Sequence, residues 1–351
     1  MKSDILIVGT GALATLFAVR LTASGQRVTM LGTWKEGLDA LHQDGARLVT
    51  ADGFEQNYAV YATDDPRECR GAKYAIVLVK SWQTERAARQ LKKCLAEDGL
   101  AITLQNGIGN REILAKYLDD QFTTERISPD VILSKAKNLK SQKQRPFAVP
   151  RITQGDMPPK NLSRAALGTT TTGATLLGPG LVKAGGEGII SIEAHPALGP
   201  VEEAIRSAKF NVEIVNDARS LVWGKLVINA AINPLTALLR VPNGELLNRP
   251  TARTLMRALA EEAAAVASAE EVKLLFSDPA AAAEDVARKT ASNHSSMLQD
   301  VVRGAPTEID SICGAITRAG KQHHIPTPTN EACWQLVQAL AAVTRNSPAK
   351  Q

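Results

Sequence analysis

Ile5-Leu6-Ile7-Val8-Gly9-Thr10-Gly11-Ala12-Leu13-Ala14 decides how the first half of this 351-residue chain is read. Four consecutive apolar residues closed by a glycine form a short strand of the kind buried on both faces. The amphipathic stretch from Ala12 to Ser24 is a helix, Gly25 stops it, and Arg27 to Leu31 resumes as a strand. Between strand and helix, Gly9, Gly11 and Ala14 fit the G-x-G-x-x-G/A pattern. Gly9 permits the tight turn, Gly11 lets the backbone approach a pyrophosphate, and Ala14 lets the helix pack near the strand. The helix N-terminus then faces the anion. An ordinary glycine turn could carry the same residues, but a strand before it and a helix after it favour a dinucleotide site at Gly9, Thr10, Gly11, Ala12, Leu13 and Ala14.

Outward from this unit the alternation repeats. Apolar runs at Ala75 to Val79 and Leu100 to Leu104 flank a helical pattern from Thr84 to Leu95, which predicts parallel strands with helical crossovers in a doubly wound sheet. From Glu125 to Arg164 no periodicity survives among basic residues and Pro146, Pro150, Pro158 and Pro159, so a mobile insertion is expected at about 123–164. The Thr- and Gly-rich stretch Gly168 to Ile192 suggests further strands closing the domain. Beyond Asn216 the segments Leu221 to Leu239, Ala252 to Ala269, Ala280 to Asp300, Thr307 to His323 and Asn330 to Thr344 all carry helical periodicity. The expected organisation is a Rossmann-like α/β domain over 1–215 and an all-α domain over 216–351.

Composition narrows the function classes. With 44% hydrophobic residues the chain can bury a substantial core, and the runs named above fall short of the roughly 20 residues of a membrane span. Met1-Lys2-Ser3-Asp4 leads into the first strand without the apolar region of a secretory signal, and a cytoplasmic protein is expected. Cys69, Cys94, Cys313 and Cys333 show no paired spacing, and the five histidines form no ligand cluster with them, so neither disulfides nor a metal are expected. Adjacent His323 and His324 read as a solvated loop pair. The net charge of +5 is local: the segment from Glu125 to Arg164 holds nine basic and three acidic residues, leaving the rest of the chain nearly neutral. With few aromatics to stack on bases, nucleic-acid binding is not expected.

Candidate chemistry sits in three places. Lys225, Asn229 and Asn233 recur every fourth residue in an otherwise apolar stretch and share one helix face. A solvent stripe would have the same spacing, but Asn is a poor helix former usually present for its hydrogen bonds. Asn293-His294-Ser295-Ser296-Met297-Leu298-Gln299-Asp300 and Thr307-Glu308-Ile309-Asp310 offer hydroxyls and carboxylates, or plain helix caps with a surface Glu. Gln105-Asn106-Gly107 follows a strand where open parallel sheets bind ligands. After the second strand, Gly32-Thr33-Trp34-Lys35 holds no acid to repel a 2′-phosphate, and Thr33 and Lys35 could receive one, which favours NADP over NAD; Lys35 could equally be a solvated residue at a helix start.

These residues together resemble the ketopantoate reductase family. The matching pieces are Gly9 to Ala14, Val79-Lys80-Ser81-Trp82-Gln83-Thr84, Leu104-Gln105-Asn106-Gly107, Gly168-Thr169-Thr170-Thr171, Lys225 to Thr236, Pro242-Asn243-Gly244, Ser295 to Asp300 and Thr307 to Asp310. The resemblance implies a Rossmann domain joined to a helical domain like that of 6-phosphogluconate dehydrogenase, with the active site in the cleft between them. It implies that Lys225 is catalytic, that Asn229, Asn233, Asn243, Asn293, Ser295 and Ser296 contact substrate, and that Lys80, Asn106, Ala174 and Glu308 lie beside NADPH. The activity it implies is reduction of 2-dehydropantoate to (R)-pantoate in pantothenate synthesis, with a small 2-oxo acid as the only partner and a homodimer compatible with it. Lys225 would donate the proton to the reduced ketone oxygen, and Glu308 would position Lys225 and the cofactor ribose. Two other readings stay open: a relative acting on another 2-oxo acid, and a non-catalytic NADP-sensing protein, which would have no need to keep Lys225 and Glu308 together. The chain departs from the family in lacking an arginine after the second strand and in carrying the basic insertion.

Overall fold

The computed structural model describes residues 5–50, 52–119 and 162–346. Strand β1 (Ile5–Val8) lies inside an eight-stranded sheet, between β2 (Val28–Leu31) and β6 (Ala72–Val77), parallel to both. Beyond β2 stands β5 (Tyr61–Thr63); beyond β6 follow β7 (Leu95–Thr103), β8 (Ala165–Thr170), β11 (Ile189–Glu193) and β12 (Asn211–Val215). Every neighbouring pair is parallel except β8 with β11.

The uninterrupted apolar run of β1 has a simple cause. Ile5 and Ile7 face a core with Phe17, Ile76 and Phe210, whereas Leu6 and Val8 face another with Val77, Leu91 and Leu114. Side chains alternate across a strand, so a sheet covered on both faces needs apolar residues at every position. The first face is covered by α1 (Ala12–Ala23), α2 (Lys35–Asp44) and α5 (Gly199–Ser207), with Phe17 and Phe210 stacked at 4.4 Å. The second is covered by α3 (Thr84–Cys94) and α4 (Asn110–Leu118).

A smaller sheet of order β4-β3-β10-β9 packs on α1, formed by β3 (Ala46–Val49), β4 (Glu55–Tyr58), β9 (Ala174–Gly178) and β10 (Leu181–Ala184). The strands between Gly168 and Ile192 match expectation, whereas β3, β4 and β5 left no sequence signal. They are three or four residues long, and β4 exposes Glu55, Gln56 and Asn57, so neither an apolar run nor a polar alternation marks it.

Most of the expected insertion lies outside the described residues, but its ends are defined. Asp119 accepts from Ser163 Oγ and from the Arg164 backbone N–H, both at 2.7 Å, so the chain leaves and re-enters the fold at one point. Loop-closure entropy rises only slowly with length, which makes such a point tolerant of extra residues.

After β12 the described chain is helical: α6 (Ala218–Leu239), α7 (Pro250–Ala269), α8 (Pro279–Lys289), α9 (Ser296–Val302), α10 (Cys313–Gln322) and α11 (Pro328–Asn346). The predicted single helix from Ala280 to Asp300 is two. Residues 290–295 leave the helix because Asn293 donates to the Thr290 carbonyl and Ser295 caps α9 by accepting from the Leu298 N–H. Apolar periodicity spans the break because both helices bury residues, Ala283 and Ala287 before it and Met297 and Val301 after it, in the same core. By length and composition α6 could cross a membrane, longer than the runs considered in the sequence; 67% of that window is buried within the protein, against α7, α8 and α9. Ala260, Ala263 and Ala267 of α7 are fully buried and let the helices approach closely.

Candidate active site

The carboxyl-terminal ends of β1, β2, β6, β7 and β8 share one edge of the sheet, and strand order reverses between β1 and β6, where open α/β sheets bind ligands. The glycine turn occupies that point. Gly9 has φ +131°, which L side chains rarely adopt, and a Cβ there would lie 3.2 Å from the Leu78 backbone. Around Gly11 the opposite holds: a Cβ would meet nothing within 4 Å, and no side chain caps α1. Open space above a run of unpaired helix N–H groups fits a pyrophosphate. Thr10 is buried with its methyl against Gly32, Ala14 is buried against the sheet, and Ala12 and Leu13 are half-buried. Thr33 and Lys35 stand exposed at the end of β2, and Ala174 opens β9 just past the end of β8.

The helical half meets this edge through Lys225, Glu308, Asp300 and Ser311. Lys225 on α6 donates from Nζ to the Thr170 carbonyl at 2.6 Å, holding its amine at the end of β8. Burial pushes its pKa down to about 8, although the charge of Glu308 pulls the other way. Glu308, 5% exposed, starts the short 3-10 turn Ile309–Ser311 and crosses to the sheet domain. Its Oε1 accepts from the Ser81 N–H and Oγ, each at 3.1 Å, and its Oε2 accepts from Asn106 Nδ2 at 3.0 Å with Lys80 Nζ 3.7 Å away. Lys80 also donates to the buried carboxylate of Asp300 on α9 at 2.6 Å. Burial works against the Lys80 charge, but Glu308 and Asp300 outweigh it and raise its pKa above the ordinary lysine range. Gly107 (φ +83°) completes the contact: a Cβ there would sit 2.5 Å from the Ser311 carbonyl.

Thus Lys80, Asn106 and Glu308 form one connected network. Glu308 accepts from Ser81 and Asn106, and no hydrogen bond joins it to Lys225 among the described residues, so it acts on Lys225 through charge. On α6, Asn229 is half-buried and Asn233 is 6% exposed; neither side-chain amide has a hydrogen-bond partner among the described residues. Asn243 donates to Thr290 Oγ1 at 2.9 Å and its backbone N–H to the Asn293 carbonyl, while its Oδ1 is buried without a partner among the described residues. The Ser295 hydroxyl is occupied by the Leu298 N–H and by Thr236 Oγ1 on α6, at 2.7 Å; Asn293 and Ser296 are exposed.

A family model for ketopantoate reductase PanE/ApbA matches residues 5–197, and one for the C-terminal part of the same family matches 217–341. The chain belongs to the ketopantoate reductase family. It is 32% identical to a 2-dehydropantoate 2-reductase of Archaeoglobus fulgidus, over 96% of this chain and 97% of that one. Among solved structures it is similar to a PanE/ApbA family ketopantoate reductase from Ralstonia eutropha JMP134, with TM-score 0.78 and 28% identity over 99% and 100% of the two chains. D-mandelate dehydrogenase, solved with NADH and anilino(oxo)acetate, shares the fold at TM-score 0.80 and 23% identity over 99% and 100%. Membership makes this chain an oxidoreductase acting on a CH–OH group of a small molecule.

Three participants have no role assigned from the sequence: Ser81, Asp300 and Ser311. Ser81 lies as close to a strand end as Asn106 does, and that placement was the available signal. Asp300 has a helix cap as its alternative reading and Ser311 lies inside an expected helical segment, and only the packing of α9 and the 3-10 turn on the sheet edge brings them to Lys80 and Ser81.

Proposed function

We propose that the protein reduces 2-dehydropantoate to (R)-pantoate with NADPH, in the cytoplasmic synthesis of pantothenate, with Lys225 as general acid. The observation that carries this reading is the half-buried Lys225 ammonium held at the end of β8, on the sheet edge that bears the glycine turn. Gly9 to Ala14 would hold the pyrophosphate, Thr33 and Lys35 the 2′-phosphate, and Lys80, Asn106, Ala174 and Glu308 the rest of the nucleotide. That nucleotide, when bound, supplies the hydride for the ketone carbon. Lys225 stabilises the negative charge developing on the ketone oxygen and donates the proton to it. Asn229 and Asn233, on the same helix face with free amides, orient the substrate, together with Asn243 and the loop holding Asn293, Ser295 and Ser296. Glu308 draws the two halves together at Ser81 and Asn106 and keeps Lys225 more basic than burial alone would leave it.

Steady-state rates with 2-dehydropantoate and a panel of other 2-oxo acids, each with NADPH and NADH, test the proposal. 2-Dehydropantoate with NADPH is expected to give the highest kcat/KM; a better 2-oxo acid would transfer the reading to a relative with the same chemistry, and no turnover of any would favour a nucleotide-sensing role.

The proton-donor role sets a pH dependence. A general acid must be protonated, so with a pKa of about 8 for Lys225, kcat/KM is expected to be level below pH 8 and to fall above it, approaching tenfold per pH unit. Initial rates from pH 6 to 10 would show it, and a rise through pH 8 would mean that the neutral amine is the working form.

A further inference from the structure

Trp34 follows β2 by three residues and provides the N-terminal cap position of α2. Its ring lies against the helix it precedes: a Cβ added at Gly37 would sit 2.3 Å from Trp34 Cε3 and 2.9 Å from both Cδ2 and Cζ3. Only a residue with no side chain admits the indole there, and the ring is fixed over the first turn of α2 while remaining half-buried. The approach to it is equally constrained. Gly32 abuts Thr10 of the glycine turn, where a Cβ would lie 2.6 Å from Thr10 Cγ2, and the Gly9 N–H donates to the Leu31 carbonyl. In this fold the adenosine half of a dinucleotide runs from the glycine turn to the end of the second strand. Thr33 and Lys35 flank the indole there, both exposed, and no ion pair engages Lys35 among the described residues.

We propose that Trp34, seated on Gly37, is the aromatic wall against which the adenine of the cofactor stacks, so that in this chain a ring fixed by a glycine takes up the adenosine. The inference rests on the dinucleotide reading of the glycine turn and adds to it the residue that recognises the base. Trp34 presents a π-face at low entropic cost, because its position is set before any ligand arrives. Stacking on such a face tolerates any purine, so Trp34 supplies affinity while Thr33 and Lys35 supply the preference at the ribose.

Calorimetric titration with adenosine 2′,5′-bisphosphate, which carries only the adenosine end, tests this without reference to turnover. Trp34→Ala is expected to raise Kd by about tenfold or more, within the range of alanine substitutions at base-stacking residues, and Trp34→Phe by no more than about threefold. Gly37→Ala is the sharper variant. Its Cβ must displace the indole without removing it, the gain in helix propensity offsets part of the lost packing so the melting temperature should fall less than in Trp34→Ala, and Kd should rise about fivefold or more. Wild-type affinity in both Trp34→Ala and Gly37→Ala would overturn the wall. A wild-type protein that binds neither this bisphosphate nor adenosine 5′-diphosphate, which lacks the 2′-phosphate, would overturn the dinucleotide reading itself, and the wall with it.

Discussion

Lys225→Ala is expected to lower kcat by about 10² to 10⁴, the range associated with losing a positioned general acid. On the proposed mechanism the ammonium has two tasks at the reacting oxygen, charge stabilisation and proton delivery, and an alanine performs neither. Little else should change. Among the described residues Lys225 makes one hydrogen bond, to the Thr170 carbonyl, and loss of a single bond to a charged group is worth about 1.5–3 kcal/mol in stability. The glycine turn is untouched, so affinity for the proposed NADPH should stay within about threefold by the usual independence of non-contacting sites. Lys225→Arg separates the two tasks. A guanidinium retains the positive charge but does not release its proton near neutral pH, so part of the rate should return while the decline above pH 8 disappears. Stopped-flow or steady-state rates at saturating substrates decide the matter; near-normal kcat in the alanine variant would remove Lys225 from the acid role.

Glu308→Ala is expected to be harmful in a different way, reducing both stability and kcat/KM. The carboxylate accepts from the Ser81 N–H, the Ser81 hydroxyl and Asn106 Nδ2, and faces Lys80, all from the other half of the molecule. An alanine leaves the buried Ser81 N–H and the Asn106 amide without that acceptor and takes one of two counter-charges from Lys80. Breaking a buried charge pair is worth about 3–5 kcal/mol; partial solvent access at Lys80 brings the expectation to about 2–4 kcal/mol. Because those bonds hold the sheet edge against the segment from Glu308 to Ser311, their loss should loosen the approach of Lys225 to Thr170, and small misplacements of catalytic groups can lower rates about 100-fold. A fall of that order in kcat/KM, with a lower denaturation midpoint, is the expected pair of results. Glu308→Gln keeps the volume and one acceptor oxygen, so it should recover most of the stability but not the rate, because its amide turns a donor toward either Ser81 or Asn106. Full activity in the alanine variant would reduce Glu308 to a dispensable contact.

The parts of the fold that were legible in the sequence are those whose signals are short-range. The doubly covered strand β1 shows itself as an unbroken apolar run, the turn as Gly9 and Gly11, and the helical half as sustained periodicity. The break between α8 and α9 was not legible, because helices on either side of Thr290 to Ser295 bury residues in one core and keep the pattern in phase. The small sheet was not legible either, since β4 is polar and exposed and is held by pairing with β3. In the site, the shared face of Lys225, Asn229 and Asn233 follows from helical spacing, whereas the hydroxyl of Ser295 turned out to serve the cap of α9 and Thr236.

By itself the sequence determined a glycine turn between strand and helix, a helical partner for it and the residue types that could do the chemistry, because strand, turn and helix are set by neighbours a few positions apart. Only the tertiary structure decided which of those residues meet. Lys225 finds Thr170 across 55 positions and Glu308 finds Ser81 across 227, and contacts so distant along the chain are fixed by how α6, α9 and the 3-10 turn pack on the sheet edge. No local propensity encodes that packing, since it depends on the shapes of two surfaces that exist only after both halves have folded.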